Sequence, residues 1–317
     1  MTAELTTLKT RRGTYRVPHV DLWRTRFDRP QGVGVLEHGA RVVLIGSCFA
    51  RHGAAYLRRR GYVAQQYRAG YLYNSSVVRL ELEHVLEDRP WPAELGLAAD
   101  GSYAHRFRRL TASSNEALRE ADERTTRLAQ RQLRAADVII VLLGTTTEMW
   151  RDAELGRPTN QIPPPEAFHA GGWTLDGGDL QGIREDLAAI KRLLAEHTNA
   201  VPVYSVCPIP LQATWLDRSI VDANGRGKAL LRTALELEGT SPGVYLPLWD
   251  WMQAQTERRS PTKRDGRHFD RRGTNRVMLF AEHYLAAGEV APIGIKERML
   301  AQAQDLRERI ARKAPGA

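Results

Sequence analysis

Short apolar runs rich in β-forming residues recur along this chain, each separated from the next by a stretch of helical periodicity. The runs are RVVLI (41–45), residues 62–67, VIIVLL (138–143), VPVYSV (201–206) and residues 244–246. A continuous apolar run, as opposed to an alternating one, suits a strand covered on both faces. Helical patterns lie between them at 49–60, 77–88, 116–136, 179–197, 228–238 and 271–287. Strand alternating with helix predicts a parallel sheet flanked by helices, because parallel neighbours need crossover connections. Right-handed crossovers leave few orders, and the expectation is a three-layer α/β sandwich around five parallel strands in the flavodoxin-like order 2-1-3-4-5. That order sets the end of the first strand beside the topological switch point, where open α/β sheets bind ligands.

Two regions break the alternation. Residues 1–38 are rich in Arg, with Trp23 and Phe27, and read as a segment wrapping the body of a single domain spanning 1–317. Residues 151–178 hold Pro158, Pro163, Pro164, Pro165, Gly171, Gly172, Gly177 and Gly178, which forbid long regular structure. A loop of that length is either a lid over a site or a plain surface excursion. Residues 295–313 read as an amphipathic helix, and no internal repeat is present.

Composition narrows the function classes. Hydrophobic residues at 42% and charged ones at 26% describe a chain able to fill a core. Lys and Arg outnumber Asp and Glu by 46 to 37, a net charge of +9. The basic residues are interleaved with acidic ones along the helical stretches, without a nucleic-acid-binding pattern, so no specific nucleic-acid partner is expected. Two cysteines, Cys48 and Cys207, are too few for a disulfide framework or a four-cysteine zinc site. The charged N-terminal stretch offers no apolar core for a signal peptide, and no run approaches the ~18 apolar residues of a membrane helix. The expected address is the cytoplasm, with no membrane partner.

The sharpest local pattern is VVLIGSCFARHGAAYL, a buried strand running through Gly46-Ser47-Cys48-Phe49-Ala50 into a helix. Glycine permits a tight strand-to-helix turn. Ser47 then lies at the carboxyl end of the first strand, beside helical N–H groups that favour negative charge. Two readings stand: a nucleophile with its oxyanion site alongside, or an ordinary serine N-cap. The second pattern is Asp265-Gly266-Arg267-His268, close before the last long helical stretch. Asp and His three apart on a loop can hydrogen-bond, fixing the imidazole tautomer for work as a general base.

These residues carry a resemblance. GSCFA at 46–50 is letter for letter the motif naming the GSCFA family, a relative of the GDSL or SGNH hydrolases, and LGTTTEMW (143–150), YSVCPIPL (204–211) and GYLYNSS (70–76) are similar to its later blocks. The resemblance spans about residues 40–285. It implies an SGNH-like fold and a triad of Ser47, His268 and Asp265. SGNH enzymes complete the oxyanion hole with a Gly and an Asn, the latter in GxND. Here the corresponding stretch is Gly144-Thr145-Thr146, without Asn. The candidate donors are therefore the Ser47 backbone, Gly70, Asn74, Gly144 and Thr146.

Cys48 is a rival nucleophile, but successive residues point different ways, so Ser47 and Cys48 cannot both face His268. Cys207 reads as core packing. Glu148, Trp150 and Trp173, in or beside the lid, are either a substrate wall or a lid anchor; Trp249 and Trp251 read as packing against the last strand's end. The other histidines, His52 among them, show no metal-ligand spacing, and no P-loop or dinucleotide fingerprint appears, so no metal and no cofactor are expected. The leading expectation is a serine hydrolase acting on an ester of a small or carbohydrate-like molecule through an acyl-enzyme. The alternatives are an acyltransferase using the same triad and a ligand-binding module with a degenerate oxyanion hole. No pattern sets an oligomeric state.

Overall fold

The computed structural model describes residues 5–10, 13–18, 33–90, 96–97, 101–254 and 268–286, apart from 106, 109, 145, 154, 155, 157, 160–170 and 212. In chain order the main elements are β1 (Arg41–Ile45), α1 (Cys48–Arg59), β2 (Val63–Gln66), α2 (Ser75–Leu86), α3 (Asn115–Arg134), β3 (Val138–Leu143), α4 (Leu180–His197), β4 (Val201–Val206), α5 (Ile220–Glu238), β5 (Val244–Tyr245), α6 (Leu248–Ala254) and α7 (Arg271–Leu285). The five strands form one sheet in the order β2-β1-β3-β4-β5, and all four pairings are parallel.

The three central strands, β1, β3 and β4, are buried because both faces are used. Val42 and Leu44 point to one side and Val43 and Ile45 to the other, following the two-residue period of a pleated strand. One face packs against Phe49, Tyr56 and Leu57 of α1, Trp251 of α6 and Val277 and Phe280 of α7. The opposite face packs against Val77 and Val85 of α2, Leu133 of α3, Ile190 of α4 and Leu231 of α5. The result is a sheet between two helical layers.

The irregular regions acquire short structure of their own. Residues Leu5–Thr10 and Gly13–Pro18 form an antiparallel hairpin. The segment just before β1 is bound to the end of α7: Val33 N donates to Tyr284 O at 2.8 Å and Val35 N to Leu285 O at 2.9 Å. The proline- and glycine-rich region begins and ends in an antiparallel sheet of Met149–Asp152, Pro158–Thr159 and Trp173–Asp176. The suggested helix at 295–313 lies outside the described residues.

Two helix boundaries differ from expectation. α5 starts at Ile220, eight residues before the expected Lys228. Asn224, Gly225 and Gly227 lower helix propensity there, but tertiary contacts use two of them. Asn224 Oδ1 accepts from Leu211 N at 2.9 Å, and a β-carbon at Gly227 would lie 3.4 Å from Thr147 Oγ1. Trp249 and Trp251, expected to pack against the last strand's end, lie on a seven-residue helix, α6, that directly follows it; Trp251 stacks on Phe280 at 4.9 Å.

Candidate active site

Strand order concentrates chemistry at one edge. Neighbours diverge between β1 and β3, so the carboxyl ends of these strands, at Gly46-Ser47 and Gly144, flank the switch point. Gly46 takes φ +143, and a β-carbon there would lie 2.8 Å from both Cβ and O of Leu142. The turn can therefore press against β3 only because residue 46 has no side chain. Its carbonyl accepts from Leu72 N at 3.0 Å, which brings the 70–74 loop to the same place.

Ser47 occupies the N-cap position of α1 in extended conformation, yet its side chain makes no capping hydrogen bond. The other described helices with a polar N-cap behave differently. Asn74, Ser114, Asp179, Ser219 and Asp270 accept from the amides of Val77, Ala117, Gly182, Asp222 and Gly273 respectively. Ser47 is 1% exposed, and its Oγ lies 3.5 Å from Cys207 Sγ. Forgoing a cap worth about 1 kcal/mol in favour of a thiol, a weak hydrogen-bonding partner, is unusual on stability grounds alone.

His268 is half-buried at the start of the segment that leads into α7. Its neighbour Phe269 is buried and meets Phe49 edge-on, with ring centroids 5.8 Å apart. Asp270 then caps α7 by accepting from Gly273 N at 2.7 Å. Fold and packing thus bring the segment that starts at His268 against the helix that Ser47 opens, joining positions more than two hundred residues apart. Asp265 lies outside the described residues.

The candidate oxyanion donors fall into distinct states. Gly70 takes φ +101 and its N–H donates to Tyr67 O at 3.2 Å. Asn74 is buried, and its Oδ1 accepts the Val77 amide at 2.9 Å, which leaves the amide nitrogen as the group's donor. Thr146 Oγ1 accepts from Glu148 N at 2.8 Å, and its own N–H reaches Tyr73 O at 3.5 Å, linking the Gly144 turn to the 70–74 loop. Gly144 takes φ +59, and a β-carbon there would collide with Leu231 of α5.

Of the wall candidates, Glu148 braces the loop after β4. It is 8% exposed, and its carboxylate accepts from Thr214 Oγ1 at 2.5 Å and Trp215 N at 3.0 Å. Trp150 is buried and meets Trp215 edge-on at 5.8 Å, whereas Trp173 is half-buried on the edge strand paired with Asp152. His52, on α1, is half-buried.

Three neighbours of the site escape a reading of the sequence. Cys207 is buried, but its thiol faces Ser47. Trp215 is 54% exposed on the braced loop. Lys228 is 2% exposed and donates to Gly144 O at 2.8 Å and Cys207 O at 2.7 Å. Its signal was present: Lys228 falls at helical spacing with Leu231, Ala234 and Leu235, on the apolar stripe.

Elsewhere, among the described residues, Glu87, Glu196 and His197 are near enough to one another to share an ion. They lie at helix C-termini, by the sheet edge opposite Ser47, and Glu87 is already ion-paired with Arg89 and Arg192 at 2.8 Å each. Also among the described residues, no helix is long and apolar enough to cross a membrane.

Fold and site together define an α/β protein with a buried, non-capping serine at the switch point of a parallel sheet. The chain belongs to the GSCFA family, whose characteristic sequence it matches over residues 41–280. Among curated proteins, none matches it.

Proposed function

We propose that this GSCFA protein is a serine hydrolase of the SGNH type, cleaving an ester of a small or carbohydrate-like molecule through an acyl-enzyme on Ser47. The observation that carries the reading is the Ser47 hydroxyl: it holds the N-cap position of α1, forgoes the cap, and sits at the carboxyl end of β1 beside the switch point. A serine there for local stability alone would turn to the free amides of its own helix, as the other polar N-caps do. The contact of Phe49 with Phe269 supports His268 as the base drawn to that serine. In this mechanism His268 takes the proton as Oγ attacks the ester carbonyl, and Asp265 orients the imidazole. The leaving alcohol departs with the proton from His268, and water activated by the same imidazole releases the acid. The strand order β2-β1-β3-β4-β5 suits the SGNH placement, and a chain with only two cysteines suits a reducing compartment such as the cytoplasm.

The burial of Ser47 favours one second reading. At 1% exposure the serine is screened from bulk water. A site that excludes water can pass its acyl group to an alcohol or amine, making an acyltransferase. Intact-mass analysis after treatment with a fluorophosphonate tests the shared chemistry: one adduct is expected on the wild type and none on Ser47→Ala. A wild type that stays unmodified after long exposure to the probe rules out the serine nucleophile and leaves a ligand-binding module.

A further inference from the structure

The Ser47 edge is tied together by a buried cation. Lys228 lies in the third turn of α5 on a face otherwise filled by Leu231, Ala234 and Leu235. Leucine or methionine at that position would pack the same stripe without taking an ammonium out of water, which costs several kcal/mol unless hydrogen bonds replace its hydration. The hydrogen bonds the lysine makes show what it serves. Its Nζ donates to Gly144 O at 2.8 Å and to Cys207 O at 2.7 Å, the first residues beyond β3 and β4.

Both acceptors belong to the candidate site. Cys207 is the residue whose Sγ lies 3.5 Å from Ser47 Oγ. Gly144 opens the turn that follows β3 at the switch point, and Leu231 of the same helix fills the space a side chain at 144 would need. One helix thus grips the ends of two strands through one ammonium and one leucine.

We propose that Lys228 is a positioning residue for the Ser47 reaction: by clamping the Gly144 and Cys207 carbonyls it holds the β3 and β4 ends against Ser47 in the geometry that acyl transfer requires. The proposal rests on the serine-hydrolase reading. In this role the lysine acts through the two strand ends, and a shift of about 1 Å in such a support can cost on the order of 10²-fold in rate.

A second lysine supplies the control. Lys191 Nζ also donates to two backbone carbonyls, Glu238 O at 2.9 Å and Gly239 O at 3.1 Å, but these lie at the C-terminus of α5, away from the switch point. The experiment measures phosphonylation of Ser47 by a fluorophosphonate in wild type, Lys228→Met and Lys191→Met, separating the maximal rate from the half-saturating probe concentration. Lys228→Met is expected to lower the maximal rate by roughly 10²-fold with the half-saturating concentration unchanged, while Lys191→Met labels like the wild type. Equal maximal rates in wild type and Lys228→Met overturn the positioning role and leave the hydrolase reading intact. An equal loss in Lys191→Met overturns it too, since any lysine bridging two carbonyls would then do. No labelling of the wild type overturns the hydrolase reading and removes the role with it. Circular dichroism checks folding; if Lys228→Met is unfolded, Lys228→Gln takes its place, and failure of both to fold assigns the lysine to folding alone and overturns the proposal.

Discussion

Arg108 and Ser47 are both 1% exposed, yet the polar groups around them are used in opposite ways. Arg108 sits in a closed network: Nε and Nη2 donate to Glu81 at 3.0 and 2.5 Å, and Nη1 donates to Asp122 Oδ1 at 2.6 Å and Thr126 Oγ1 at 2.7 Å. Tyr67 adds a hydrogen bond to Glu81 at 3.1 Å. His105 Nδ1 accepts the amides of Phe107 and Arg108 at 3.0 and 2.9 Å, so the proton of a neutral ring stands on Nε2, which lies 3.2 Å from Asp122 Oδ1. Burial works against the Arg108 charge, but Glu81 and Asp122 more than restore it, and its pKa is held above the ordinary value. Ser47, by contrast, gives up its cap and faces a thiol. Saturated polar groups stabilise a fold; under the proposed reading, the hydroxyl withheld from the backbone is the nucleophile.

The comparison breaks most sharply at Ser47. Replacing Ser47 or His268 by Ala is expected to abolish acyl transfer, a loss of roughly 10⁶-fold, while Asp265→Ala leaves residual turnover, down about 10⁴-fold by analogy with other triads. A fluorophosphonate adduct persisting on Ser47→Ala would place the nucleophile elsewhere. In the network the loss falls on stability: Arg108→Met leaves the Glu81 carboxylate buried without its guanidinium partner and should cost about 3–5 kcal/mol in urea unfolding, with the folded fraction labelling at the wild-type rate.

Oxyanion support comes next. At least one of Asn74→Ala and Thr146→Ala should slow turnover of an activated ester by ~10²-fold, and Asn74→Ala should also lose about 1 kcal/mol of cap stability. Normal turnover in both would mean that the hole is built from other groups.

A smaller effect follows from acid titration. Burial alone would raise the Asp122 pKa, but His105 and Arg108 outweigh it and hold the carboxyl below the usual carboxylate range. A depressed carboxyl contributes stability that is fully present above its unfolded pKa, ~3.9, and is lost as pH falls through the folded value. The urea midpoints of wild type and Asp122→Asn should therefore differ at neutral pH and converge in strong acid; a gap independent of pH would assign it to packing. The smallest effect is expected at Cys48→Ala, which should label like the wild type; loss of labelling there would revive the thiol as nucleophile.

Much of this architecture was legible from residue order. Continuous apolar runs marked the three central strands β1, β3 and β4, because a strand covered on both faces has no polar face to interrupt it. Gly46-Ser47 was readable as a strand-to-helix turn because glycine before a helix start is a local signal, and His268 stood out by its spacing from Asp265. The early start of α5 was hidden by Asn224, Gly225 and Gly227, whose poor propensity is overridden by contacts with Leu211 and Thr147.

What the amino-acid order determined by itself was therefore the period of each element, the turn at Gly46 and the choice of Ser47 as the residue to watch, since these depend on neighbours within a few positions. Only the tertiary structure decided that Ser47 forgoes its cap for Cys207, that Phe269 carries the His268 segment onto Phe49, and that Lys228 clamps Gly144 and Cys207. Each of these joins residues on separate elements. Their energies come from burial and from hydrogen bonds that exist only once the sheet has set its strand order, and no local spacing in the chain records them.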